Sequence, residues 1–563
     1  MGAKQENKTT ETAEKWLSIL QLTRIGDILQ TAQAVRLLKI NHPEIKVQLV
    51  ARKQFAEPIQ FIIDQVFDEC ITLDLKTAIN LRDGVKGSLK NISSQIALIN
   101  KRPIAASINL SFSKSSTYLH SLIRSEYKLG PFFNEKHEQV IQDKWSQYLF
   151  SSVMRGNLNP FNLVDLFAAI IGVKKINTHL NTKEYSKELK NKALIHPFAS
   201  LDKKRWAESK WTEVIYNLLK SNADLTVYIA GSNGDTPSYE KMTASPILSK
   251  FKDRITPLLG KKLTEVYDLV DENFLFIGHD SMLSHLFSFK NVKSLTISLG
   301  TVRVQETAPY SLNNYVLAPK TNCYPCFPDT KCSYFQCHAD VPFHTAIAMS
   351  KQLLTANVID IEKLRKDVTE FNLNSVDIYR TTTNNLGQLL LKNLLDENKS
   401  AKEVFRDFYN VIWSYSFSEV EPTINLPKLS KNATEALSMM PGAAENLYEL
   451  AEFGKKYSRF ILEEISNNSP NIQSIKNYSL KIDEIDRLLD VLITSYPLLS
   501  PIVDYAKVAK SNLSGTNIVE MTESAFYVYQ EISTSSSIIY DFLNKLNIKK
   551  DKTTKLTSSR TDA

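Results

Sequence analysis

Short, largely apolar runs alternate with stretches of helical spacing through the first part of the chain. Residues 17–22 form a run typical of a buried strand, and residues 28–38 place apolar side chains three and four positions apart, as in a helix. A further helix is predicted to begin near Ala56. Three more strands are predicted in this part, at residues 47–50, 70–73 and 104–110. Strands that alternate with helices favour a parallel sheet covered on both faces.

A second block of the same kind begins near residue 193. Its predicted strands lie at residues 193–195, 225–230, 274–278 and 294–298. We therefore expect two doubly wound α/β domains, joined by the polar, charged segment 181–192, with a ligand-binding cleft between them.

Helical spacing dominates beyond residue 341. The predicted helices lie at residues 343–354, 386–395, 404–413, 443–465, 482–496 and 518–546. Their amphipathic spacing indicates that they pack against one another or against the α/β core. The predicted domains are a disordered leader at 1–14, α/β domains at 15–185 and 186–341, a helical extension at 342–548 and a disordered tail at 549–563.

The composition narrows the function. The chain has 563 residues, of which 43% are hydrophobic, so two or three domains are expected. Its 68 basic and 61 acidic residues give a formal charge of only +7, and no basic run is interleaved with aromatics, which argues against nucleic acid as a main partner. We find neither a signal-peptide pattern nor the roughly 18 apolar residues of a membrane span. A cytoplasmic protein is expected, and contact with the inner face of the membrane stays open.

Asp27 is the first candidate for chemistry. It follows Gly26 where the first predicted strand gives way to the first helix. Ligands of doubly wound folds bind at that end of the sheet, and a carboxylate there can take a proton from an acceptor hydroxyl. The alternative is that Asp27 is a helix N-cap that accepts hydrogen bonds from first-turn amides. The two roles are compatible.

The segment 196–206 places Ser200 and Lys204 just after the strand that opens the second block. A hydroxyl and an ammonium group at a strand-to-helix turn can neutralise a diphosphate leaving group. The alternative is a solvated basic loop in which Trp206 serves as a packing anchor.

A further candidate phosphate site follows the predicted strand at 274–278. Its residues are Asp280, Ser281, Met282, Leu283, Ser284 and His285. Unpaired amides at a helix N-terminus, together with the helix dipole, bind phosphate. The alternative is that Asp280 or Ser281 caps the helix and that His285 is a packed core histidine.

Gly231 and Asp235 belong to a Gly-Ser-Asn-Gly-Asp turn that closes the predicted strand at 225–230. The turn would let a nucleoside approach the backbone, with Asp235 on the ribose hydroxyls. This signal has low specificity, since such turns are common for conformational reasons alone.

Four of the five cysteines lie within fifteen positions. They are Cys323, Cys326, Cys332 and Cys337, and His338 follows as a substitute ligand. Clustered thiolates suit tetrahedral zinc or iron, and coordination by four thiolates favours a structural metal over a catalytic one. The alternatives are free thiols or paired disulfides.

These segments together resemble glycosyltransferase family 9, the ADP-heptose heptosyltransferases and their relatives, across about residues 16–341. The family carries Gly-Asp after the first strand, a His-Pro-x-Ala-Ser to Lys-Arg-Trp segment, and an Asp-Thr/Ser-Gly-x-Ser-His turn. Their order and spacing match this chain. The resemblance implies the GT-B fold, with two Rossmann-like domains, of which the first takes the acceptor and the second the donor.

The resemblance also implies roles for residues in an inverting, metal-independent transfer. Asp27 would be the general base, Ser200 and Lys204 would contact the donor phosphates, and residues 280–285 would hold the diphosphate. Met282 stands where the family often has glycine, which is expected to reshape the donor pocket. Some relatives resembling autotransporter heptosyltransferases carry a cysteine cluster that holds iron or zinc.

We therefore expect an inverting glycosyltransferase. The favoured donor is ADP-heptose, and the acceptor is a hydroxyl of a lipopolysaccharide core, another glycan, a lipid-linked sugar or a protein. The alternative is a catalytically inactive protein of the same fold that binds partners through its helical extension. A homo-oligomer is left open.

Overall fold

The computed structural model describes residues 16–74, 84–156, 158–175, 190–327, 329–396, 398–420, 426–513 and 517–548. The predicted leader, most of the predicted linker and the predicted tail lie outside these ranges. The chain divides into two compact units. The first contains residues 1–141 and 170–172, and the second contains residues 142–169 and 173–563.

The first unit is built on a five-stranded parallel sheet with the order β3-β2-β1-β4-β5. Its strands are β1 (Trp16–Gln21), β2 (Lys46–Arg52), β3 (Glu69–Leu73), β4 (Ile104–Asn109) and β5 (Ser125–Leu129). A separate antiparallel pair consists of β6 (Phe132–Phe133) and β7 (Gln139–Val140). The helices are α1 (Ile25–Asn41), α2 (Lys53–Ala56), α3 (Gln60–Val66), α4 (Gly84–Ile99) and α5 (Lys114–Ser121). All four strands predicted here are confirmed.

The second unit contains an eight-stranded sheet with the order β10-β9-β8-β11-β12-β13-β14-β15. Its strands are β8 (Lys192–His196), β9 (Thr226–Gly231), β10 (Ile255–Leu259), β11 (Phe274–His279), β12 (Lys293–Ile297), β13 (Tyr315–Pro319), β14 (Val376–Thr383) and β15 (Leu389–Asn393). The first six are parallel, in the order of a Rossmann fold, with the switch in direction between β8 and β11. Strands β14 and β15 pair antiparallel at one edge.

The predicted helix at residues 386–395 is therefore wrong, because Leu389–Asn393 forms the edge strand β15. A short apolar run does not distinguish a strand from a buried helix by its spacing. Tertiary pairing makes this run a strand, because β14 has an open edge at which Leu391 pairs with Thr381. The sheet thus continues past residue 341.

Most of the remaining chain is helical. The helices of the second unit are α6 (Lys144–Arg155), α7 (Leu163–Ile170, whose last residue falls in the first unit), α8 (Glu208–Ser221), α9 (Thr236–Thr243), α10 (Leu263–Leu269), α11 (Met282–Ser288), α12 (Val304–Thr307), α13 (Gln336–Ala339), α14 (Phe343–Ala356), α15 (Ile361–Asp367), α16 (Glu370–Asn374), α17 (Ala401–Ser418), α18 (Lys431–Leu437), α19 (Met440–Ser466), α20 (Ile472–Ser495), α21 (Ser500–Ser511) and α22 (Ile518–Lys545). The other five helix predictions beyond residue 341 are confirmed.

The long helices α19 and α22 pack closely because one of them lacks a side chain where they meet. A Cβ atom at Gly454 of α19 would lie 2.4 Å from the ring of Tyr529 on α22. The Tyr529 hydroxyl in turn donates to Asp486 on α20, at 2.8 Å. The three helices therefore form one packed group.

The expected fold class, two α/β units with doubly wound parallel sheets followed by a helical region, agrees with this architecture. Among the helices of the described residues, none combines the length and the apolar character that crossing a membrane requires.

Candidate functional site

Asp27 lies in the first turn of α1, directly after the carboxyl end of β1. The helix begins at Ile25, and the Asp27 carboxylate accepts a hydrogen bond from the backbone N–H of Arg24 at 3.1 Å. Asp27 is thus the third residue of the helix, and its side chain binds the backbone of the N-cap residue. The alternative that Asp27 is itself the N-cap is wrong, because Arg24 holds that position. Its side chain is half-buried. A carboxylate held at this end of a parallel sheet is placed where ligands of such folds bind.

The turn that carries Lys204 lies after β8 in the second unit and is fixed by parts of the chain that are distant in sequence. The backbone N–H of Trp206 donates to Nε2 of His279 at 3.1 Å. Burial lowers the pKa of His279 to about 3, which keeps the ring neutral and able to accept. At the other end of the turn, Nε2 of His338 donates to the Lys203 carbonyl oxygen at 2.8 Å.

Gly300 makes the closest approach to this turn. Its φ is +63°, and a Cβ atom built on it would lie 2.4 Å from the Lys203 carbonyl oxygen. Only glycine takes this conformation at low cost and leaves room for the lysine backbone. The fold therefore holds the Lys203–Lys204 backbone against Gly300.

Lys204, Asp280 and His285 lie together where β8 and β11 end, at the switch point of the sheet. The Lys204 ammonium lies 3.5 Å from Oδ2 of Asp280, and Nε2 of His285 lies 3.9 Å from Oδ1. The Asp280 side chain is only 8% exposed, and its Oδ1 has no hydrogen-bond partner among the described residues. The structure therefore brings together three of the predicted site residues.

Ser281 and Ser284 start the helix that follows. Ser281 is the N-cap of α11, Ser284 Oγ donates to the Ser281 carbonyl oxygen at 2.7 Å, and the Ser284 N–H donates to the same oxygen at 3.1 Å. Ser281 thus starts the helix, as the alternative expected, but its Oγ has no hydrogen-bond partner among the described residues. Since α11 has only seven residues, its dipole is short and the nearby Lys204 is the stronger source of positive charge.

A pocket of about 580 Å³ opens beside this cluster, at the carboxyl ends of β8, β9 and β10. Its walls contain five residues singled out from the sequence: Ser200, Gly231, Asp235, Met282 and Leu283. The volume falls in the range of small-molecule and cofactor sites. Lys204, Asp280, Ser281, Ser284 and His285 are not part of this wall.

Two of those wall residues serve the local structure. Asp235 accepts hydrogen bonds from the backbone N–H and the Oγ of Ser232, at 2.8 and 2.7 Å, and so caps its own turn. A Cβ atom at Gly231 would lie 2.7 Å from the ring of Phe198, so the absence of a side chain lets this ring form part of the wall.

Three basic residues of the wall were not named as site residues, although the first two belong to the predicted segment 196–206: His196, Arg205 and Lys261. Nη2 of Arg205 donates to the Ala199 carbonyl oxygen at 3.0 Å, while its buried Nε has no partner among the described residues. His196 donates through Nδ1 to the Ala230 carbonyl oxygen at 3.0 Å, and burial lowers its pKa. The run Lys203-Lys204-Arg205 was a signal for Arg205, but no local pattern marks Lys261.

The cysteine loop packs on the same turn. The Cys326 N–H donates to the Gly300 carbonyl oxygen at 2.8 Å, and the Lys203 ammonium donates to the Thr330 carbonyl oxygen. The loop therefore supports the position of the lysine turn.

The thiols of the loop influence one another. Burial, and then the neighbouring Cys323 and Cys332, raise the pKa of Cys326, and burial with the other three thiols raises that of Cys337. Four thiols are a suitable donor set for zinc or iron. However, in residues 190–327 and 329–396 no three His, Cys, Asp or Glu side chains are arranged to share one ion. The metal stays a prediction.

Comparison with protein families finds one match. Residues 165–335 match the family described as Glycosyltransferase family 9 (heptosyltransferase). This segment contains Lys204, the pocket and the Asp280 cluster. No curated protein matches the chain.

Solved structures of limited likeness include three bacterial proteins. ADP-heptose lps heptosyltransferase II of E. coli is 15% identical, with a TM-score of 0.43, over 60% of this chain and 98% of its own. The E. coli heptosyltransferase WaaC with ADP is 15% identical, with a TM-score of 0.39, over 53% and 91%. A glycosyl transferase family 9 protein of Veillonella parvula is 17% identical, with a TM-score of 0.39, over 65% and 99%.

Proposed function

We propose that the protein is an inverting glycosyltransferase that binds a nucleotide sugar in its second unit and transfers the sugar to an acceptor hydroxyl. The observation that carries the proposal is the Lys204 ammonium, fixed 3.5 Å from the buried Asp280 carboxylate beside a pocket of about 580 Å³. The match of residues 165–335 to glycosyltransferase family 9 supports the same activity.

The pocket suits the nucleoside part of such a donor. It combines the ring of Phe198 and the apolar side chains of Met282 and Leu283 with polar groups on Ser200 and Asp235. An apolar lining with a few placed polar groups is typical of ligand sites. Met282 is part of the pocket wall, and we propose that it selects among donors by shape.

The basic groups suit the diphosphate. Lys204 would balance the negative charge that develops on the leaving diphosphate, together with Arg205, whose Nε has no partner among the described residues. Asp280 would hold the Lys204 ammonium in place, and His285 would orient Asp280 in turn. The Lys204–Asp280 contact joins two charged groups, and such contacts are stronger than hydrogen bonds between neutral groups.

Asp27 would supply the base. It would take the proton of the acceptor hydroxyl as that oxygen bonds to the anomeric carbon, while the bond from this carbon to the diphosphate oxygen breaks. One C–O bond forms and another breaks with inversion, and no metal ion takes part. The donor that we propose is ADP-heptose, with a lipopolysaccharide core, another glycan or a protein as acceptor.

The test combines nucleotide binding with turnover. We expect ADP-heptose, rather than GDP- or UDP-sugars, to raise the melting temperature of the full chain, since a ligand stabilises the state that binds it. Lys204→Ala should weaken ADP binding about 10- to 100-fold, the loss of one charge-assisted contact. The matched control is Lys203→Ala, whose ammonium is directed to Thr330 instead.

Asp27→Ala separates catalysis from binding. It should leave ADP affinity unchanged and reduce sugar transfer about 10²- to 10⁴-fold. Failure of every nucleotide sugar to bind would overturn the proposal. Binding without turnover in the wild type would instead support the alternative, a partner-binding protein of the same fold.

We further propose that the four cysteines hold a structural zinc or iron ion. Elemental analysis of the purified protein should find about one ion per chain, and Cys326→Ser should release it. Chains free of metal, in which the four loop thiols titrate as well as Cys70, would show that the loop is stabilised by its protein contacts alone.

A further inference from the structure

Helix α22 forms the floor of a long groove in the helical region. Two cavities of about 710 and 560 Å³ adjoin along it and share Tyr415, Gln530 and Thr534 in their walls. The lining positions of α22 run from Ser524 to Lys545, a distance of about 32 Å at 1.5 Å per residue. We call this continuous feature the α22 groove.

The floor of the groove is one face of the helix. Positions 527, 530, 534, 537, 541 and 545 line it, at the three- and four-residue spacing of a single helical face. All six positions are half-exposed or exposed, and they include Gln530, Thr534 and Ser537. Val528, Ile538 and Phe542 of the same helix also line the cavities, so the floor offers both polar and apolar contacts.

Exposed aromatic rings stand along the groove. Tyr415 of α17 is 45% exposed, Tyr448 of α19 is 39% exposed and Tyr527 of α22 is 66% exposed. Below them, the buried ring of Tyr505 packs against Trp413 and Phe417 at 5.3 and 5.0 Å between ring centroids. The rings offer apolar faces and hydroxyl tips to one ligand.

The charges of the groove are nearly balanced. Three lysines face four carboxylates across the two cavities. The Lys144 ammonium pairs with Glu531, and that of Lys455 lies 2.7 Å from Glu452. A polyanion finds no excess positive charge here, so a nucleic acid, a nucleotide or an acidic lipid surface does not fit.

An elongated, uncharged ligand with both apolar faces and hydroxyl groups matches these features. Sugar rings have this chemistry, since their C–H faces stack on aromatic rings and their hydroxyls bond to amides, serines and threonines. We propose that the α22 groove binds a linear, neutral oligosaccharide chain. This inference goes beyond the proposed transferase activity and does not depend on the nucleotide pocket.

The test is binding of the full chain to an array of neutral and anionic oligosaccharides, followed by calorimetry with the best neutral glycan. The wild type should retain linear neutral glycans. Tyr527→Ala and Tyr415→Ala should each weaken binding about tenfold, the effect of about 1.4 kcal/mol from one lost stacking ring. Tyr527→Phe keeps the ring and should stay within about threefold of the wild type.

The matched control is Tyr127→Ala, because Tyr127 on β5 is also 66% exposed but is not part of the groove. It should bind glycans like the wild type. Lys204→Ala should weaken ADP binding and keep glycan binding, so failure of one proposal is distinguishable from failure of the other. Retention of anionic glycans alone, retention of no glycan at all, or wild-type binding by both Tyr527→Ala and Tyr415→Ala would each overturn the proposal.

Discussion

Replacement of Gly300 by alanine tests whether the lysine turn depends on close backbone packing. Gly300 has φ +63°, a region that costs an alanine about 1–2 kcal/mol. The new Cβ atom would also lie 2.4 Å from the Lys203 carbonyl oxygen. Overpacking of this kind costs a further 1–3 kcal/mol or so, so Gly300→Ala should lose about 2–5 kcal/mol of stability.

The strain should also affect nucleotide binding and sugar transfer. The two backbones must separate by about 1 Å to restore an ordinary contact of 3.4 Å, and misplacement by about 1 Å can cost a factor of 10² in rate. We therefore expect Gly300→Ala to weaken ADP binding and to reduce transfer by about 10- to 100-fold, although Gly300 is not part of the pocket wall.

Urea unfolding followed by far-ultraviolet circular dichroism suits the stability measurement, since it reports the second unit, with Gly300, and the first unit, with Gly84. Calorimetry with ADP then gives the affinity. The matched control is Gly84→Ala, whose φ is also +63° but whose Cβ would meet nothing within 4 Å. Gly84→Ala should lose only the roughly 1–2 kcal/mol that the left-handed backbone conformation costs an alanine. The reasoning about the lysine turn is refuted if Gly300→Ala loses no more stability than Gly84→Ala. It is also refuted if Gly300→Ala loses stability while its affinity for ADP is unchanged.

Two further predictions concern pH. Burial lowers the pKa of His120 to about 4, so the unfolded chain takes up a proton near pH 6.5 that the folded state does not. Stability should therefore fall below about pH 6.5, by about 2 kcal/mol at pH 5. In urea unfolding, His120→Gln should show a smaller fall in stability over this range. Burial raises the pKa of Asp165 to about 7, with Tyr310 Oη and the Leu389 N–H donating to its carboxylate at 2.7 and 3.0 Å. The unfolded chain releases this proton near the usual pKa of Asp and the folded state only near 7, so the wild type should lose on the order of 3 kcal/mol of stability between pH 5 and 8. Asp165→Asn stays neutral and should show little of this pH dependence, although its amide keeps only one of the two acceptor oxygens; equal stability of the wild type at pH 5 and 8 would contradict this.

The sequence predicts the strands best where they are buried on both faces. Strand β11, Phe274–His279, is buried throughout and reads as a continuous apolar run. Strand β5, Ser125–Leu129, lies at the edge of its sheet and is half-exposed or exposed along its length, so its Ser-Glu-Tyr-Lys-Leu pattern gave no signal. Strand β15 was missed for a related reason, since only its pairing with β14 makes it a strand.

The site residues likewise divide into those that local sequence locates and those that only tertiary contacts place. Lys204, Asp280 and His285 follow strand ends, which local spacing locates, and the resemblance to family 9 gives them a common purpose. The sequence does not show that Lys261 reaches the pocket, or that Asp235 is engaged by Ser232. Both contacts depend on how neighbouring turns pack against each other, which the spacing of residues along the sequence does not predict.

The lysine turn shows why these contacts matter for the proposed chemistry. Its backbone is held by His279 at the end of β11, by Gly300 after β12 and by His338 in α13, three segments that the chain brings together only in the folded sheet. The ammonium of Lys204 therefore does not rely on its own flexible side chain alone for position. A group fixed before the substrate arrives loses less entropy in the transition state, which is where a cation at a leaving diphosphate is effective. The cysteine loop reaches the same turn through Gly300 and Lys203, so any ion that stiffens the loop would act on transfer through position rather than through contact with the substrate.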